Sequence, residues 1–115
     1  MERDEILGYM AEYYIKKAQS LVEGGINRNV PMYLGMSNAC YAMLDENHMQ
    51  EKLENLLVSC GITMSEIKEI NKRCSVHLNE LVDYLKKMEA AGERMNESVL
   101  KEILSEVDPI YKLDS

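Results

Sequence analysis

The chain has 115 residues and a formal net charge of −7, from 13 basic and 20 acidic side chains. That balance argues against a surface that tracks nucleic-acid phosphates or binds an anionic membrane. A hydrophobic fraction of 46% favours a folded chain, and the length suffices for one domain, spanning residues 1–115, to bury a core without disulfides or a structural metal.

Two prolines, six glycines and few runs rich in Val, Ile or Thr point to an all-α chain. There is no Phe or Trp, but nine Met and seven Tyr, so large-volume packing falls to Leu, Ile, Met and Tyr. Met fills irregular gaps and adapts to partners. The three cysteines, Cys40, Cys60 and Cys74, cannot all pair. Free thiols on apolar faces fit a reducing compartment. The charged start Met1-Glu2-Arg3-Asp4-Glu5 carries no apolar leader core, and no run of about 18 apolar residues is present. The expectation is a cytoplasmic protein.

The spacing predicts a first helix over 3–23, with Leu7, Met10, Tyr14, Ala18 and Leu21 on one face and Gly24 as a left-handed stop. Lys17 falls near that stripe, its methylenes on the core and its ammonium at the edge. Residues 25–30 form a polar connection, and Pro31 suits the first turn of a second helix over 31–44. Its inward residues are Tyr33, Met36, Cys40, Met43 and Leu44, while Gly35 and Ala39 permit close approach of a neighbour. Asp45-Glu46-Asn47 is expected to break the chain with a turn. A third helix then runs over 48–60, capped by Asn47, with Met49, Leu53, Leu56, Leu57 and Cys60 inward, and Gly61 ends it.

The strongest pattern is the fourth helix, 63–88. Ile67, Ile70, Cys74, Leu78, Leu81, Leu85 and Met88 follow at steps of three and four, which keeps them in one stripe. Thr63-Met64-Ser65-Glu66 reads as a capping box. Glu69–Arg73 and Asp83–Lys87 add a few tenths of a kcal/mol per pair. Met95 and Leu100 bracket Asn96 as a staple around an N-cap, opening a fifth helix to about residue 107 that turns Val99, Leu100, Ile103, Leu104 and Val107 inward. Asp108-Pro109 stops it, and Ile110, Tyr111 and Leu113 form an apolar tail. The fold class is therefore an all-α, five-helix single-domain bundle with a long central fourth helix.

Chemistry finds little support. Cys74-x-x-His77 places a thiol and an imidazole on one helix face, but two ligands make no metal site and no second pair stands at ligand spacing. Asp45-x-x-His48 lies at a helix boundary, where an acid already has a capping and dipole role. No phosphate-cradling glycine loop, nucleophile elbow or zinc-protease helix is present. Tyr9, Tyr13, Tyr14, Tyr33 and Tyr41, with Arg28 and Asn29 nearby, form the one inventory suited to recognition.

The predicted function is thus a non-enzymatic interaction protein acting through protein–protein contacts as a homodimer, with no cofactor. The fourth helix would span about 39 Å and its shorter neighbours about 20 Å each, so either they cross it one after another or part of its stripe is left for a second chain. Candidate contact residues are Tyr13, Arg28, Tyr33, Ile110 and Tyr111. The rival reading is a bundle that holds a metal or small ligand in its core or between protomers, through Cys74, His77 and His48, or an anion through Lys17 and Arg28.

Overall fold

The computed structural model describes residues 1–108, so the predicted contact residues Ile110 and Tyr111 lie outside the described residues. Five helices follow in order: α1 (Arg3–Glu23), α2 (Val30–Met43), α3 (Asn47–Ser59), α4 (Met64–Ala90) and α5 (Glu97–Glu106). They share one apolar core, as the all-α bundle reading expected. Among the described residues, no helix is long and apolar enough to cross a membrane.

The expected turns form, with local corrections. Gly25, not Gly24, takes the left-handed conformation after α1 (φ 75°), and the Ile26 N–H closes the motif on the Leu21 carbonyl at 2.8 Å. Asp45 turns left-handed after α2 (φ 59°), and Gly61 does so after α3 (φ 87°). Asn47 does not cap α3: it lies inside the helix and the cap position is Glu46. Thr63 and Asn96 do cap α4 and α5, each side-chain oxygen accepting a backbone N–H, from Glu66 at 3.2 Å and Val99 at 3.0 Å. Met95 and Leu100 are both buried at the start of α5, as a hydrophobic staple requires.

Ile67, Cys74, Leu78, Leu81 and Leu85 of the α4 stripe are buried, Ile70 and Met88 are half-buried, and Val82 beside the stripe is buried as well, while Val76 faces out. Burial at about 1.5–3 kcal/mol per large side chain outweighs the tenths available from surface ion pairs, so the stripe sets which way α4 faces. Asp83 illustrates the point: its carboxylate accepts a bond from Arg3 of α1 at 3.0 Å, not from Lys87 on its own helix.

Short partners cover this long stripe in succession. α2 packs on the first half of α4, with Gly35 against Ile70 and Asn38 bonded to Asn71. The start of α1 covers the second half, where Arg3 bonds Asn79 and Asp83 and the Met1 carbonyl accepts from Lys86 Nζ at 2.8 Å. Most of the greasy length that suggested a second chain is therefore covered within the protomer.

The interior position belongs to α2. Every residue from 33 to 41 is buried, on all sides of the helix, because α1, α3 and α4 all pack on it. Its buried Ser37 hydroxyl is satisfied by donating to the Ala11 carbonyl at 2.8 Å. The helix α3 packs mainly on α2, so its buried face is narrow. Leu53 and Leu57 are buried, but Leu56 is 43% exposed and Cys60, expected inward, is also exposed. Val107, also expected inward, is exposed at the end of α5.

Candidate functional site

The tyrosines on α1 and α2 form a continuous chain of rings. Tyr9 stacks on Tyr13 at 6.4 Å, Tyr13 meets Tyr14 edge-on at 5.5 Å, and Tyr14 stacks on Tyr33 at 6.2 Å. The inner end is core: Tyr14 and Tyr33 are buried, and the Tyr33 hydroxyl donates to the Asp108 carboxylate. Burial, reinforced by Cys40 and Asp108, pushes the Tyr14 phenol well above its usual range. The outer end, Tyr9 and Tyr13, is half-buried. Of the predicted contact residues, Tyr13 reaches the surface, Tyr33 is interior, and Arg28 is exposed in the turn between α1 and α2.

Tyr9 and Tyr13 form the wall of a cavity of about 350 Å³ between α1 and α5, completed by Glu12, Lys16, Lys17, Ser20 and Lys101. Lys17, beside the apolar stripe of α1, is half-buried and lines this cavity. Lys101 comes from 84 positions further along the chain, a meeting that local spacing does not encode. Burial and Glu97 raise the Tyr9 phenol, and burial and Asp108 raise that of Tyr13, so both hydroxyls stay protonated donors at neutral pH.

A second feature lies on another face. A cleft of about 470 Å³ opens between the second half of α1, the start of α2 and α3, lined by Ile15, Val22, Val30, Leu34, Leu53 and Leu56 among others. A further cavity, sharing Val22 and Val30 with it, reaches the exposed Cys60. Val22 at 55% exposure and Leu56 at 43% stand proud of the cleft as apolar knobs. Among all the residues lining the two cavities, Glu23 is the one with a charge.

The Cys/His pairs do not assemble into a reactive site. Cys74 is fully buried and burial pushes its thiol up to about 12, so it stays protonated and a poor nucleophile. His77 Nδ1 is buried without a hydrogen-bond partner and faces Glu80 of its own helix at 3.9 Å. His48 is on the surface, 3.5 Å from Glu46. Among the described residues, no three His, Cys, Asp or Glu side chains gather at metal-binding distance. No protein-family model matches the chain, and no curated protein or solved structure matches it either.

Proposed function

We propose that the chain is a non-enzymatic interaction protein of the cytoplasm that works through protein–protein contacts, beginning with a second copy of itself. The cleft between α1, α2 and α3 carries this reading. It offers holes and knobs together: an apolar trough at Val30 and Leu34, and protruding Val22 and Leu56 beside it. A two-fold interface needs such a self-complementary patch, because each copy must present both halves of the contact.

Charge supports the same face. Two copies of a chain carrying −7 repel, and the least costly meeting place is one that buries almost no charge. The interface sits on this cleft and not on the α4 stripe, which the protomer covers itself. The three free cysteines support the reducing location.

Light scattering coupled to size exclusion tests the proposal. The native chain is expected to run as a dimer at micromolar concentration, and Val22→Asp with Leu56→Asp as a monomer with unchanged helical signal. Both side chains are exposed, so the protomer survives their loss. A monomeric native chain, or a dimer indifferent to both substitutions, would sink it.

A further inference from the structure

We propose that the cavity between α1 and α5 binds a small phosphate compound carrying two or more negative charges. Three lysines, Lys16, Lys17 and Lys101, line it with a single acidic residue, Glu12. Among the described residues none of the three lysines is within ion-pair distance of a carboxylate. In a chain whose net charge is −7, three cations gathered without partners cost repulsion and concentrate positive potential in a partly walled space.

The donor set selects the class of anion. Lysine ammonium groups are compact charges on flexible stems, suited to the many oxygens of a phosphate rather than to the planar, two-pronged match that arginine makes with a carboxylate. The Ser20 hydroxyl and the Tyr9 and Tyr13 phenols line the same space and supply neutral donors. Glu12 inside the cavity, Glu97 near Tyr9 and Asp108 near Tyr13 work against a ligand with one charge, which three lysines would hold only weakly against these acids. A polyphosphate gains more. At about 350 Å³ the cavity exceeds a single phosphate, leaving room for a second phosphate or for an organic group against the tyrosine rings. This site lies on a different face from the proposed dimer contact and stands or falls separately.

The full chain would be titrated calorimetrically at low salt with inorganic pyrophosphate and, separately, with adenosine diphosphate. Both are expected to bind, and Lys16→Ala combined with Lys101→Ala should weaken both by about tenfold or more. Lys52→Ala, an exposed lysine on α3, should change either by less than about twofold. Tighter binding of the nucleotide places its organic group on Tyr9 and Tyr13, whereas equal affinities confine recognition to the phosphates. No heat with either probe, binding untouched by the double substitution, or an equal loss in Lys52→Ala would each overturn the proposal.

Discussion

Ile70 Cγ2 occupies the space that a Cβ on Gly35 would need. The two helices meet there without a side chain on the α2 side, and the contact sets how closely α2 and α4 approach. Gly35→Ala is therefore expected to destabilise the protein by about 1–3 kcal/mol, despite alanine's better helix propensity, because the methyl of a β-branched residue in a helix has little freedom to move aside. Urea denaturation measures it. Combining Gly35→Ala with Ile70→Ala should cost less than the sum of the single changes; strict additivity would show that the contact is not what makes Gly35 necessary.

One helical turn further on, Asn38 Nδ2 donates to Asn71 Oδ1 at 3.3 Å, while Asn38 Oδ1 is buried without a partner. Asn71→Ala would leave the whole Asn38 amide buried and unsatisfied, at a cost of about 1–3 kcal/mol. An effect under about 0.5 kcal/mol by the same measurement would mean that water already satisfies Asn38.

The caps make a discriminating set. Asn96→Ala and Thr63→Ala should each cost about 1 kcal/mol, since each removes an oxygen that accepts a backbone N–H. Asn47→Ala should be close to neutral, because Asn47 is within α3 and makes no cap. Thermal melts of the three variants, compared by their midpoints, rank them.

Alkaline pH should destabilise the fold. Burial raises the Cys74 thiol from its ordinary 9.0 to about 12, and raises Cys40 and Tyr14 as well. The folded chain then holds protons that the unfolded chain releases, so the stability these groups contribute is complete below about pH 9 and is lost as pH climbs toward 12. Denaturation curves at pH 8 and about pH 10.5 should show the fall, and Cys74→Ala should lessen its slope. A pH-independent midpoint across that window would contradict it.

Sequence periodicity read α4 well because one face of that helix is wet: Val76 exposed against Leu78 buried is the contrast a stripe records. It read α2 poorly for the opposite reason. A helix buried on every side has no stripe, so residues such as Ser37 and Asn38 were not legible as interior. The signal was nonetheless present, since 30–43 contains no Asp, Glu, Lys, Arg or His. Leu56 and Cys60 stay outside the core because α3 packs mainly on α2, which leaves its flanks exposed. Of the lysine cavity, Tyr9, Tyr13 and Lys17 stand out in the sequence; Lys101 joins them through the packing of α5 on α1, which no local spacing encodes.

The enclosure of α2 has a kinetic corollary. Amide hydrogens of residues 33 to 41 have no shallow route to solvent, since exposing them means removing α1, α3 or α4 first. Their exchange with deuterium should track global opening, at a common slow rate, while α5, lying mainly along α1, exchanges through cheaper excursions. The innermost segment thereby becomes a built-in gauge: its isotope uptake reads the free energy of the entire bundle.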